Sequence, residues 1–500
     1  MGCEADIRIL ASTQTRPNAT RGGIVTATTV LDFGQPTFFS PGQVRIGPTW
    51  TRYGNIEGSL DDWPNVLAHE LGHYALFLED TYLGFDPTGL LIPIDTCIST
   101  AMSDPYLYSE FLYNSPDWPG KCGQTLAELP EWELILSGYP ALHTPPPENA
   151  GPAQNPPRLP FDFTQIEVRT GDKAGLLGDF DVPIPAELAG GQAYLFHPGQ
   201  GLVDLGRPRP GSGLALLRGA RQGDVLCLFA TTNFACSQPL NSSEPDLPLQ
   251  PAWLPEVTLS PVNSTTLQIL VNTVNTNQIT ATFYPNGAAP VTKSLTPGQV
   301  ETVSFSQPAL DVWVELVGAD PARQLWVTSY TNGAGPGRRK GHGGPVTSSD
   351  GNVIVYPPDL PDDQFLTLQT APGVSHPPAG VTIIGQSYFV RASSGTTNLA
   401  SGSLAFEYFE LEVLLASLPQ DSQAVNEAAL ALANSCSLEK KLIIYYRAGS
   451  AWTVLPTTVD CTHNFASAHT PGPGLYLLAW PSGLSAVPNP TILYFPIIMK

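Results

Sequence analysis

Two histidines four residues apart, with an acid next to the first, are the part of this chain most able to do chemistry: His69-Glu70-Leu71-Gly72-His73. On a helix these two positions project roughly 40° apart and about 6 Å along the axis. Two imidazole nitrogens can then converge on one ion at about 2.0–2.1 Å each. Glu70 sits beside them, placed to take a proton from a metal-bound water without being a ligand. The chain has only 8 His, which makes the pattern informative. The plain alternative is a helix carrying two half-exposed His with an acid between them. A catalytic zinc needs a third protein ligand and an open fourth position. Glu79 and Asp80, in Leu78-Glu79-Asp80-Thr81-Tyr82, are the nearby candidates. On an unbroken helix Asp80 would lie about 16 Å from His69 along the axis, so the helix must end near Phe77 and the chain must turn back. Glu110 and Glu131 stand in reserve as distant ligands.

The elements around this motif read consistently. Asp61 and Asp62 are N-cap candidates, and Pro64 suits a first turn, where its missing N–H costs nothing. Leu67, Leu71, Tyr74 and Leu78 fall at i, i+4, i+7 and i+11, an apolar stripe on a face separate from the histidines. Residues 5–12, 22–31 and 43–50 read as strands that precede the helix. An amphipathic piece from Thr125 to Ser137 reads as a helix closing the first domain.

The resulting pattern, H-E-x-x-H followed at a distance by Asp80 and Tyr82, resembles the metzincin-like metalloprotease domain of the calcium-activated chloride channel regulator proteins. That group carries H-E-x-x-H-x-x-x-G-x-x-D-E followed by Tyr; this chain has Phe77 where the group has Gly. The resemblance implies His69, His73 and Asp80 as zinc ligands and Glu70 as general base, with Glu79 the second choice for the third ligand. The stretch Asp95-Thr96-Cys97-Ile98-Ser99-Thr100-Ala101-Met102 looks like a Met-turn, which would place Met102 under the metal as an apolar floor. The chain has only 3 Met, and the other two lie at its ends. Tyr106 is a candidate oxyanion donor by the same resemblance. The likeness covers about residues 45–140, and the substrate class, peptide bonds, comes from it.

Composition narrows the remainder. Charged residues make up 13% of the chain, with 46 Gly and 51 Pro. That favours short strands and many turns over long charged helices. A net charge of −21 argues against nucleic acid and anionic lipid as partners, since both need clustered Lys and Arg. Of 7 Cys, six form spaced couples: Cys97 with Cys122, Cys227 with Cys236, and Cys436 with Cys461, leaving Cys3 over. Three local disulfides and an oxidising compartment follow. Asn18, Asn241 and Asn263 head N-x-S/T patterns. Residues 1–10 carry Glu4, Asp6 and Arg8 where a signal peptide would be apolar, so we expect the export signal to lie upstream of this chain. No apolar run is long enough to span a bilayer.

The expected organisation is multidomain. An N-terminal α+β zincin (metzincin-like) domain, residues 1–143, is followed by all-β sandwich-like domains. A Pro-rich linker spans 144–160 and a β-rich domain 161–247. An immunoglobulin-like β-sandwich spans 256–330 and a Gly-rich linker 331–352, the latter with Arg338-Arg339-Lys340 inside it. A C-terminal β-rich domain spans 353–500, with an Ala-rich helix candidate at 424–434 and an apolar tail at 491–499. The expected function is a secreted or surface zinc metalloendopeptidase acting on protein or peptide substrates, with Zn2+ as cofactor and possible cell-surface attachment. The alternative is a surface adhesion or scaffolding protein with an inactive protease-like domain.

Overall fold

Alternation of buried and open residues marks some of the described strands, while others are buried along their length. In the strand Thr266–Asn272, Leu267, Ile269 and Val271 are buried while Gln268 and Asn272 face solvent, the period of two expected of a strand with one wet face. The computed structural model describes residues 7–9, 16–19, 30–32, 35–36, 44–47 and, with short internal gaps, 62–138, 175–332, 345–408 and 436–481.

At the N-terminal end, Val44–Ile46 is the centre of a three-stranded sheet, parallel to Ile7–Ile9 and antiparallel to Asn18–Ala19. The helix Asp62–Leu76 packs on it. Val44, Tyr74, Leu78, Met102, Trp132 and Ile135 form the shared core, with Leu67 and Leu71 against it, so the apolar stripe read from the sequence does face inward. The expected helix from Thr125 is shorter, Glu131–Gly138. Pro130 disfavours helix at the residue before it and suits a helix start. Thr125 instead bridges to Gly84, beside the hairpin Leu83–Phe85 with Leu91–Pro93.

Beyond this the described residues are almost all β. Gln192–His197 and Val225–Phe229 lie inside a five-stranded antiparallel sheet, packed against the pair Leu176–Pro183 and Leu214–Arg221. A three-stranded sheet (Glu256–Asn263, Thr266–Asn272, Val300–Ser304) covers one part of a nine-stranded sheet. Another five-stranded sheet, in the order Val346–Thr347, Val353–Tyr356, Ser403–Glu407, Phe465–His469, Thr458–Asp460, covers the remainder. The nine-stranded sheet runs across the Gly-rich stretch read as a linker, because Arg323–Asn332 pairs with Phe365–Ala371. Val346–Thr347, within that stretch, is itself a strand. The 424–434 and 491–499 readings, and Arg338-Arg339-Lys340, lie outside the described residues. No helix among those described is long and apolar enough to cross a membrane.

All three cysteine couples are disulfides: Cys97–Cys122, Cys227–Cys236 and Cys436–Cys461. The C-terminal sheet also docks on the N-terminal hairpin. Leu83, Leu91, Ile354, Ala405 and Phe465 share one buried cluster, and the Leu91 N–H donates to Ser403 Oγ at 2.8 Å.

Candidate metal centre

The helix ends at Leu76, and the chain reverses at once: the Leu78 N–H reaches back to the Gly72 carbonyl at 3.1 Å. This satisfies one of the carbonyls that a helix end leaves bare, and it returns Asp80 to the histidines. His69 Nε2 and His73 Nε2 are 3.1 Å apart. Asp80 Oδ1 lies 3.2 Å from the first and 3.1 Å from the second. The three atoms make a nearly equilateral triangle.

The protons of the two rings lie elsewhere. His69 Nδ1 donates to the Ala101 carbonyl and His73 Nδ1 to the Leu78 carbonyl, each at 2.8 Å. A carbonyl only accepts, so each neutral ring carries its proton on Nδ1 and presents a bare Nε2 lone pair. Asp80 Oδ1 is buried with no hydrogen-bond donor. Three acceptors therefore face one another, an arrangement that repels unless a cation sits among them. A tetrahedral zinc with bonds of about 2.0–2.1 Å has ligand–ligand edges of roughly 3.3 Å, so the N, N, O set fits zinc in both donor type and spacing. Among the described residues this is the one cluster able to hold a metal ion.

One segment braces both sides of the triangle. Ala101 fixes His69, and the next residue, Met102, accepts the Thr81 N–H through its carbonyl at 3.1 Å, beside Asp80. The Met102 side chain is fully buried beneath the helix; a Cβ placed on Gly72 would stand 2.7 Å from its sulfur. Gly72 thus leaves room for the Met102 sulfur against the helix. Thr100 Oγ1 anchors this segment by donating to Glu131 at 2.7 Å. Glu131, a reserve ligand, serves here instead. Glu79 lines the cavity but lies outside the triad, and Glu110 lies outside the described residues.

A cavity of about 130 Å³ opens over the triad. Glu70 lines it and is 5% exposed. Burial raises its carboxyl to about 8, with His69 pulling it back and Asp80 pushing the same way as burial. A divalent ion beside it would draw that value down. For Asp80, burial acts upward, but positive charge at His73 and His69 would outweigh it and hold the carboxyl far below the usual range; with both rings neutral, a cation among the three atoms would have to supply that charge. Burial, then the charges of Asp80, Glu407 and Glu70, push the Tyr82 phenol well above 10.0. Tyr106, the oxyanion candidate, is also on the wall.

The sequence did not single out several lining residues. Arg16, Tyr356 and Glu407 all line the cavity, and Glu407 comes from a strand of the C-terminal sheet. Chain separations of 53 residues for Arg16, and of hundreds for Tyr356 and Glu407, leave no local signal for them. The scattered histidines form no second centre among the described residues. His197 pairs with Asp224 at 2.7 Å. His463 bridges Asp95 and Asp460 at 3.2 Å each, and His469 Nε2 lies 3.2 Å from the Thr88 hydroxyl.

No protein-family model and no curated protein matches the chain. Among solved structures it is similar to a segment of two fibronectin type III domains from chicken tenascin, at 12% identity and a TM-score of 0.13. That match covers 31% of this chain and 94% of that one.

Proposed function

We propose that this chain is a secreted or cell-surface zinc-dependent endopeptidase, with a metzincin-like α+β unit at its N-terminal end and β-sandwich units after it. The observation that carries the reading is the triangle of bare acceptors formed by His69, His73 and Asp80, with both ring protons committed to backbone carbonyls. The Met102 floor under the helix adds support. Zinc bound there would supply Lewis acidity, lowering the pKa of a water and polarising a peptide carbonyl. Glu70 takes the proton of the attacking water and returns it to the leaving amine. Three disulfides support an oxidising, extracellular setting.

A second reading is a surface adhesion or scaffolding protein whose metal site is structural. The C-terminal sheet walls the cavity, and about 130 Å³ is small beside the roughly 300–1,000 Å³ of ordinary ligand pockets. Elemental analysis together with casein cleavage, with and without chelator, separates the two. The protease reading expects one zinc per chain and chelator-sensitive cleavage lost in Glu70→Gln. Zinc without cleavage selects the scaffold, and absence of zinc sinks both.

A further inference from the structure

The Tyr82 side chain, in the turn after the helix, has had no role so far. Its backbone is held from both sides: the Ile94 N–H donates to its carbonyl at 2.7 Å, and the Thr81 N–H before it is tied to Met102. Its ring packs against the cluster of Leu83, Leu91, Ile354, Ala405 and Phe465, so the C-terminal sheet buttresses it. The ring lies over His69, with centroids 6.1 Å apart and planes tilted by 34°. The residue lines the metal cavity. Its hydroxyl makes no hydrogen bond to a described residue and is not sealed in the core. A rigid ring with an unused O–H beside a metal triad is an uncommon expense, since polar groups held in place usually have partners.

We propose that the Tyr82 hydroxyl donates a hydrogen bond to the carbonyl oxygen of the scissile peptide as that oxygen becomes an oxyanion. The inference rests on the protease reading. As the water oxygen bonds to the carbonyl carbon, the π pair of the C=O bond moves onto the carbonyl oxygen. The proton of the water goes to Glu70, and Tyr82 keeps its own proton and only donates. The bond strengthens as charge develops, so it lowers the barrier more than it tightens substrate binding. Tyr106 shares the cavity, but its ring lies in a separate small cluster with Ile46, Val66 and Trp63.

The test is Tyr82→Phe, which keeps the ring and its packing and removes only the hydroxyl. We expect kcat on a casein-derived peptide to fall about 10²–10³-fold, with KM and zinc content unchanged. A phosphinic analogue of that peptide, which copies the tetrahedral oxyanion, should bind more weakly by a similar factor in calorimetry. Unchanged kcat and unchanged analogue affinity overturn the inference, as does a loss that appears in Tyr106→Phe but not in Tyr82→Phe. If the phenylalanine variant loses zinc, the hydroxyl is a structural support and the inference falls. Failure of the wild type to cleave sinks the protease reading and this inference together, whereas an active wild type with a dead Glu70→Gln and a fully active Tyr82→Phe removes this inference alone.

Discussion

Arg16 and Glu407 are 391 residues apart in the chain, yet a guanidinium nitrogen of one lies 3.0 Å from a carboxylate oxygen of the other. A second nitrogen of the same fork donates to the Tyr408 carbonyl at 2.5 Å. Both side chains line the cavity over His69, His73 and Asp80. The pair ties the N-terminal strand region to the C-terminal sheet beside the cavity.

Removing Arg16 should cost more at neutral than at acid pH. Burial raises the Glu407 carboxyl above its ordinary 4.5, and Arg16 partly offsets that. A carboxyl with a raised folded value contributes stability fully below its unfolded value, and that contribution is lost as pH rises through the folded value. Arg16→Ala raises Glu407 further and enlarges the loss. With the two side chains 14% and 18% exposed, we expect about 1–3 kcal/mol at pH 7 and a much smaller loss near pH 4. Calorimetric unfolding at the two pH values reads this; equal losses would contradict it.

Zinc should stabilise the folded protein through His69, His73 and Asp80. At about 100 times its Kd, zinc adds roughly 2.7 kcal/mol, visible as a rise in Tm. Asp80→Asn or His73→Ala should abolish the rise. Because metal binding needs neutral imidazoles and an ionised carboxylate, zinc affinity should weaken as pH falls. A zinc-induced rise that survives in both variants would place the ion elsewhere.

Glu70→Gln should keep the metal and lose the reaction. Glu70 lies outside the triad, so zinc content should match the wild type. Loss of a general base lowers kcat about 10²–10⁴-fold. Equal cleavage by both proteins would remove Glu70 from that role.

Gly72→Ala should destabilise, against helix propensity. Alanine gains about 1 kcal/mol inside a helix. The new methyl would meet Met102 Sδ at 2.7 Å and Phe111 Cε1 at 3.2 Å, and such overpacking costs about 1–3 kcal/mol. Zinc affinity should fall too, because the Met102 segment also holds His69 and the Asp80 turn. Gly72→Ala with Met102→Ala should be less unstable than the sum of the two single changes. Additive losses would show that the methyl and the sulfur do not compete for one space.

Breaking Cys97–Cys122 should loosen the loop that leads into the Met102 segment. Both sulfurs are buried, and the bond spans 25 residues. Replacing both cysteines with alanine should cost about 2–4 kcal/mol, read as a lower Tm that reducing agent no longer shifts at this site.

Much of the site was legible because it is local. His69, Glu70 and His73 share one helix, and the reach of Asp80 required the helix to stop where it does. The cysteine couples were legible for the same reason, each closing a short span. The long alternating strands, such as Thr266–Asn272, stood out because one face is dry and the other wet. Strands of two or three residues, such as Asn18–Ala19, were not, since so few positions define no period. The joining of Arg323–Asn332 to Phe365–Ala371 in one sheet was also hidden, because backbone pairing leaves no mark on side-chain order.

By itself, then, the order of residues determined the paired histidines, the acid beside them, the need for a turn before Asp80 and the β character of the remainder, since each follows from spacing within one element or one loop. Only the tertiary structure decided that Asp80 closes the triangle where Glu79 and Glu131 do not. It also decided that Arg16, Tyr356 and Glu407 wall the cavity and that Tyr82 is braced over His69 by a distant sheet. Those placements depend on packing between segments far apart in the chain, which no local pattern encodes.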